Sequence, residues 1–130
     1  AYLIIIVKNV KIMKSSRGEI KICDILDAAG LNYKEEYIFK DLVSSSGRPL
    51  RFDFCVFDDN GDIDFLIEYQ GVQHYQAKSK FGGKQGPYRQ KYNDQKKRQY
   101  CLEHNITLIA IPYWDESIID YDYIMQAAGY

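Results

Sequence analysis

Hydrophobic and polar positions follow several distinct patterns along the 130 residues. Apolar side chains recur at helical spacing after Ser16 and stop at Gly30, which predicts a first helix. Runs rich in β-branched and aromatic residues predict four strands, and polar segments between them predict two further helices. The expected strands lie at about 33–39, 50–57, 63–70 and 106–111, and the expected later helices lie at about 88–104 and 118–128, with loops at 44–49 and 81–87. After an N-terminal strand, the order is therefore helix, three strands, helix, strand and helix.

Length and composition fit a single domain, because 46% of the residues are hydrophobic and the chain is long enough to bury one core. We expect residues 1–14 to form an N-terminal strand or extension and residues 15–130 to form the domain. The apolar residues 3–7 are too short to cross a bilayer and lack the basic lead of a signal peptide, so no membrane association is predicted. The three cysteines lack metal-ligand spacing, which predicts a reducing, cytoplasmic location.

Two of the predicted strands are joined by Asn60-Gly61, the strongest short hairpin signal. If these residues form the centre of a type I′ turn, the register of the whole hairpin follows. It places Phe52, Phe54 and Val56 on one unbroken apolar face, and it sets Asp53 directly opposite Glu68 on the other face. That face also carries three further pairings: Asp59 with Asp62, Cys55 with Leu66, and Arg51 with Gln70.

Two carboxylates that face each other across a central strand pair repel unless positive charge lies between them. A hard cation such as Mg²⁺, which takes oxygen ligands, would remove the conflict between Asp53 and Glu68. The alternative is a solvated face that tolerates the repulsion.

Charge is distributed in two blocks that the net value of −1 conceals. Residues 53–68 contain six carboxylates and no base, whereas residues 78–98 contain eight lysines and arginines and one aspartate. The net value excludes a protein that holds nucleic acid by being basic throughout, but the second block suits a phosphate backbone. The alternative is a solvated helix face beside an acidic turn.

Two further constellations have both a chemical and a structural interpretation. Gln90, Asp94, Lys97 and Cys101 fall on one stripe of the polar helix, which would direct polar groups into a pocket or, alternatively, form an Asp94–Lys97 pair facing solvent. Ser16 and Glu19 have the spacing of a capping box, and Glu19 could alternatively reach a metal ion or its water shell.

Three segments together resemble the PD-(D/E)XK nuclease superfamily, and within it the phage-encoded, homing-type and Vsr-like endonucleases. They are Arg51-Phe52-Asp53-Phe54, the segment from Glu68-Tyr69-Gln70 to Tyr75, and the segment from Asp94 to Tyr113. The resemblance covers residues 18–112. It implies a restriction-endonuclease-like αβββαβ core, with a central mixed sheet flanked by helices. Phe52 stands where the family motif has proline, and Gln70 stands where it has lysine.

The resemblance implies a metal-dependent endodeoxyribonuclease that hydrolyses phosphodiester bonds of double-stranded DNA with Mg²⁺ or Mn²⁺, encoded by a phage or mobile element. Its metal ligands would be Asp53, Glu68, the backbone carbonyl of Tyr69 and Glu19. Lys97 is expected to supply the charge that Gln70 lacks. The remaining implied catalytic residues are His74, as general acid or base, and Asp94. The residues expected to contact DNA are Lys78, Lys80, Lys84, Arg89, Gln90 and Lys91.

Two rival functions compete with this expectation. An inactive nuclease-like module that only binds DNA or RNA is favoured by Gln70. An interaction domain would pair the acidic hairpin with the basic helix and would not retain DNA. Because the chain begins with Ala1 rather than Met, we also expect room for an upstream DNA-recognition module, and a homodimer is the alternative way to reach a target.

Overall fold

Four strands form one mixed sheet in the computed structural model, which describes residues 16–72 and 85–130. The predicted order of helix, three strands, helix, strand and helix is confirmed, with a 3₁₀ helix added before the last helix. The elements are α1 (Arg17–Ala28), β1 (Asn32–Val43), β2 (Pro49–Phe57), β3 (Ile63–Gln70), α2 (Gln85–Glu103), β4 (Thr107–Pro112), the 3₁₀ helix (Tyr113–Ile118) and α3 (Tyr121–Ala127). The expected N-terminal strand lies outside the described residues.

The strands lie in the order β1-β2-β3-β4, which is also their order along the chain. β1 pairs antiparallel with β2, β2 pairs antiparallel with β3, and β4 pairs parallel with β3. A parallel neighbour requires a connection that returns to the same end of the sheet, and α2 lies in that connection. The domain is therefore α/β with a mixed sheet, as the sequence predicts.

Helices cover both faces of the sheet, and each face has its own core. Alternation along β3 separates the two cores, because Phe65 and Ile67 enter the first and Leu66 enters the second. The first core packs α1 and α3 against the sheet, and its helical members are Ile22, Leu26 and Ile124. The second core includes Cys101, near the end of α2.

The alternation of β2 side chains between the two faces of the sheet is interrupted at Asp53. Phe54 and Val56 belong to the first core, whereas Phe52 belongs to the second. The prediction of one apolar face that includes Phe52 is therefore wrong. The cause lies in β1, where Glu36 has a positive φ of 53° and the pairing of Glu36 with Asp53 is missing between two regular rungs.

The hairpin keeps the predicted register even though its turn differs from the prediction. The Asp58 N–H bonds the Asp62 carbonyl across a three-residue loop, and Gly61 adopts a φ of 84°, so neither the type I′ turn nor the pairing of Asp59 with Asp62 forms. Near the loop the register is shifted by one residue, and an extra residue, Asp64, restores it. The confirmed partners are Phe54 with Ile67, Cys55 with Leu66, and Val56 with Phe65.

Three element boundaries differ from the prediction for local reasons. β1 extends to Val43, which pairs with Pro49 beyond an irregularity that follows Ile38. α2 begins at Gln85 rather than near Tyr88. Pro87 falls in the first turn of this helix, where backbone N–H groups have no intrahelical acceptor, so a proline there does not prevent the helix from forming. α3 begins at Tyr121 rather than Ile118, because the Asp120 side chain accepts a hydrogen bond from Tyr123 N–H and caps the helix there.

Candidate active site

The side chains of Asp53 and Glu68 interact on β2 and β3, each one residue beyond the last pair of the observed register, Phe54 with Ile67. Asp53 Oδ2 accepts a 2.7 Å hydrogen bond from the Tyr69 backbone N–H, which fixes the carboxyl group across the two strands. A further hydrogen bond joins the Asp53 and Glu68 side chains. Burial and the neighbouring Glu68 charge raise the pKa of Asp53 to about 8. The Asp53 carboxyl group is therefore harder to ionise than an exposed aspartate.

Lys97 completes this arrangement from the other layer of the fold. Its ammonium group, on α2, donates to Glu68 Oε1, and it lies 5.3 Å from the centre of the Phe52 ring. Burial raises the pKa of Glu68, while the Lys97 charge acts in the opposite direction. Glu68 therefore lies between the Asp53 carboxyl group on β2 and the Lys97 ammonium on α2, and it links the two layers of the fold.

Glu19 reaches the same region from the first turn of α1. Ser16 Oγ accepts a 3.2 Å bond from Glu19 N–H and donates a 3.0 Å bond to Glu19 Oε1, so the predicted capping interaction is present. Glu19 also remains close to Asp53 while it makes this interaction, because the Asp53 charge, together with burial, raises the pKa of Glu19. The two interpretations of Glu19 are therefore compatible.

Glu36 is an acidic neighbour that the sequence did not indicate. Carboxylate oxygens of Glu19, Glu36 and Asp53 lie within 4.8 Å of one another. Glu36 takes this position because its positive φ turns it out of the β1 alternation, and its side chain also lies 3.8 Å from Arg51. The sequence around it is an ordinary charged segment of a strand, and no spacing rule distinguishes it.

Tyr69 anchors α1 beside the carboxylates. A β-carbon added to Gly18 would lie 2.1 Å from the Tyr69 ring, so the ring packs directly against the helix backbone. The Tyr69 hydroxyl donates a 3.4 Å bond to Glu116 on the 3₁₀ helix, and Glu116 lies 3.8 Å from Arg17. Because Glu19 follows Gly18, this contact sets the distance between Glu19 and Asp53.

A cleft of about 870 Å³ opens between α2 and the sheet beside these groups. All four residues of the predicted α2 stripe line it, so that stripe faces the cleft. Asn93 lines the cleft, and within the part of the chain that the structure describes its buried side-chain oxygen, Oδ1, accepts no hydrogen bond. The residues predicted for the site that line the cleft are Glu19, Asp53, Glu68, Tyr69, Gln70, Arg89, Gln90, Asp94 and Lys97.

The other predicted site residues lie elsewhere. Lys91 is exposed on α2 and does not line the cleft. His74, Lys78, Lys80 and Lys84 lie outside the described residues, so their roles stay predictions.

Comparison with known proteins finds two similar viral proteins. The uncharacterized protein 307L of Invertebrate iridescent virus 6 is 40% identical over 80 residues, which is 61% of this chain and 41% of the viral protein. The uncharacterized protein 033L of Invertebrate iridescent virus 3 is 38% identical over 55 residues, or 42% of this chain and 28% of the viral protein. The matched parts therefore span about two fifths of the first relative and less than a third of the second. No family model and no solved structure matches the chain.

Within the part of the chain that the structure describes, every helix is too short or too polar to traverse a bilayer.

Proposed function

We propose that this protein is a metal-dependent endodeoxyribonuclease. The observation that carries the proposal is the convergence of Asp53, Glu68 and Lys97 in one cleft, from the β2–β3 hairpin and from α2, a later segment of the chain. Such a set of two acids and a lysine is suited to hold a cation and to stabilise a phosphate that gains negative charge during hydrolysis.

The sheet topology supports the proposal. A helix, three antiparallel strands, a helix and a fourth strand parallel to the third is the arrangement expected of a restriction-endonuclease-like core. Asp53 occupies the second strand and Glu68 the third, where the resemblance places the two motif acids. A fold by itself does not specify a reaction, and the side chains in the cleft determine which chemistry is available.

The carboxylates around Asp53 fit a hard divalent cation. Asp53, Glu19 and Glu36 offer carboxylate oxygens within 4.8 Å of one another, and oxygen is the donor that Mg²⁺ prefers. Burial and Glu68 disfavour the charged form of Asp53 and raise its pKa, and a bound cation would favour that charged form. We propose that Asp53 and Glu68 hold Mg²⁺ or Mn²⁺, with Glu19 and the Tyr69 carbonyl as further ligands. When bound, the ion would polarise the phosphate and lower the pKa of a water molecule.

The remaining polar groups have separate roles in the proposed reaction. Gln70 follows the metal-binding segment of β3 and would orient the attacking water through its amide. Lys97 would stabilise the charge that develops on the phosphate, since its ammonium already lies at Glu68. Arg89, at the cleft, and Lys91, on the exposed side of α2, would bind neighbouring phosphates of the DNA backbone.

The test is cleavage of supercoiled plasmid with Mg²⁺ or Mn²⁺. We expect nicked or linear product from the wild type and a loss of at least a hundredfold in Asp53→Asn and in Glu68→Gln, which keep side-chain volume but lose the charged ligand. Asp24→Asn, an exposed aspartate on α1, is the matched control and should retain activity. Unchanged cutting by both site variants would show that the proposed metal site is wrong.

Gln70 supports one alternative function, an inactive module that binds nucleic acid. Such a module would bind DNA equally well in EDTA and in Mg²⁺ and would cut nothing with any divalent ion. The same assay therefore separates the two functions, provided that binding is measured by gel shift on the same preparations.

A further inference from the structure

One wall of the cleft is apolar and open to solvent. It consists of Leu102 near the end of α2, Ile106 before β4, and Leu108 and Ala110 on β4, which together we call the apolar strip. Leu102 is 73% exposed, Ala110 is exposed, and the other two are half-buried. Accessible apolar side chains gathered in a concave wall indicate a binding surface more strongly than scattered ones do.

The apolar strip leads directly to the candidate catalytic groups. β4 pairs in register with β3, so that Leu108 lies beside the buried Leu66 and Ala110 lies beside Glu68. Because Ala110 is small, the space next to Glu68 stays open rather than being filled by an edge-strand side chain. A ligand on the strip would therefore have one end within reach of Glu68 and Lys97.

Charge at the cleft limits the kind of occupant. Three cations, Arg89, Lys97 and Arg98, line the cleft that contains the apolar wall, and four acids, Glu19, Asp53, Glu68 and Asp94, line it as well, three of them at the proposed metal site. A nucleotide complements both the cations and the apolar wall, because its phosphate is anionic and its flat base has two apolar faces. In an intact duplex the bases are stacked and cannot lie on such a wall, whereas an unpaired or extruded base can.

We infer that the cleft binds one unpaired nucleotide of DNA, with its base on the apolar strip and its phosphate at Lys97. The inference rests on the proposed nuclease function and specifies its substrate as DNA with an unpaired base at the cut position. A groove that only follows a duplex backbone needs cations on its surface and gains nothing from an apolar wall beside the reacting groups. Ala110 is then a residue that determines specificity, because its size sets the room for the base.

Binding to three short labelled duplexes tests the inference, measured by fluorescence anisotropy with Ca²⁺ in place of the catalytic ion. One duplex is perfect, one carries a single bulged adenosine, and one carries an abasic nucleotide in the same bulge. We expect the adenosine bulge to bind roughly tenfold more tightly than the abasic bulge, which is the gain from burying on the order of 50 Å² of apolar surface. The abasic duplex has the same phosphates and a similar bend, so the difference isolates the base.

Two variants locate that preference in the strip. Ala110→Leu should abolish the preference for the adenosine bulge, whereas Ala28→Leu, on the exposed end of α1, should keep it. Leu102→Ser, at an exposed side chain whose loss should not affect folding, should reduce the preference by about threefold.

Equal affinity for the two bulges, or a preference that survives in Ala110→Leu, would overturn the inference. Its failure is distinguishable from failure of the proposed function. A protein that prefers the adenosine bulge but cuts no DNA with Mg²⁺ or Mn²⁺ supports the inference and contradicts nuclease activity. Metal-dependent cutting with no preference between the bulges does the reverse.

Discussion

Lys97 and Glu68 form an ion pair between α2 and β3 in which the side chains are only 16% and 17% exposed. Removing one partner of such a pair destabilises the protein, because the remaining charge stays in a poorly solvated position. The pair also places Lys97, the cation expected to replace the motif lysine, in contact with Glu68, a proposed metal ligand. Both consequences can be measured.

Replacing Lys97 with Gln should reduce plasmid cleavage by roughly a hundredfold to a thousandfold, the usual effect of removing one group that stabilises transition-state charge. It should also lower the free energy of unfolding by about 1–3 kcal/mol, since Glu68 loses its ionic partner. Cleavage assays and urea denaturation measure the two effects, with Lys40→Gln on the exposed side of β1 as control. Full activity in Lys97→Gln would remove Lys97 from the proposed mechanism and leave the two acids in place.

The stability of the metal-free protein should depend on pH through Asp53. Its pKa is about 8 in the folded protein and has its ordinary value of 3.8 when the chain unfolds, so folding takes up a proton between these values. The corresponding stabilisation is complete below pH 3.8 and is lost as pH rises through about 8. Denaturation in EDTA should therefore show falling stability toward pH 8 in the wild type. Asp53→Asn should remove this trend and be more stable at pH 8 by a few kcal/mol, at about 1.4 kcal/mol per pKa unit.

Cation binding should compete with the proton on Asp53. We expect Mn²⁺ affinity to increase as pH rises toward 8, and binding below that pH to release a proton. Isothermal titration in two buffers of different ionisation enthalpy counts the released protons. Asp53→Asn should bind Mn²⁺ weakly and release none, whereas Asp24→Asn should match the wild type. Affinity that is independent of pH would contradict the role of Asp53 as a ligand.

Gly18 should tolerate no side chain while Tyr69 is present. The β-carbon of Gly18→Ala would lie 2.1 Å from the Tyr69 ring, so either α1 or the ring must move. Overpacking of this kind costs about 1–3 kcal/mol, and movement of α1 would also displace Glu19 and lower activity. In a double-mutant cycle, Tyr69→Val should recover part of the stability lost in Gly18→Ala, which thermal unfolding measures. Additive losses would show that the two residues do not act through this contact.

Glu36 combines an unfavourable backbone conformation with a carboxylate that lies close to those of Asp53 and Glu19. Glu36→Gly should stabilise the metal-free protein by about 1 kcal/mol, because glycine adopts a positive φ without steric cost. Glu36→Gln keeps the backbone strain and removes only the carboxylate near Asp53 and Glu19, so its effect should be smaller. Urea denaturation of the two variants separates strain from charge. A Glu36→Gly variant less stable than Glu36→Gln would show that the strand conformation is not strained.

The hairpin illustrates how much of the site the sequence could predict. The predicted turn at Asn60-Gly61 gave a register in which Phe54 faces Ile67 and Asp53 faces Glu68, and the first of these pairs is observed. The turn prediction failed because Gly61 permits a three-residue loop, but the extra residue at Asp64 restored the register. The register of the central pairs was therefore predictable, whereas the geometry of the turn itself was not.

Contacts between distant segments were beyond the reach of sequence patterns. Periodicity gives the face of α2 that carries Lys97, and the docking of α2 on the sheet determines that Glu68 is its partner. Gly18 and Tyr69 meet only because α1 crosses the end of β3, and no motif joins residues so far apart. Glu36 was missed for a different reason, since one residue of positive φ overrides the alternation on which strand predictions depend.

The division of the site between the hairpin and α2 has a consequence for the folding of the protein. The hairpin can bring Asp53 and Glu68 together by itself, but Lys97 arrives only when α2 packs against the second core through Cys101. A chain with a formed hairpin and an undocked α2 would hold two acids without the ammonium that stabilises charge on the phosphate. In the proposed nuclease, strand cutting would then begin only once folding is complete, so that incompletely folded molecules leave the DNA around them intact.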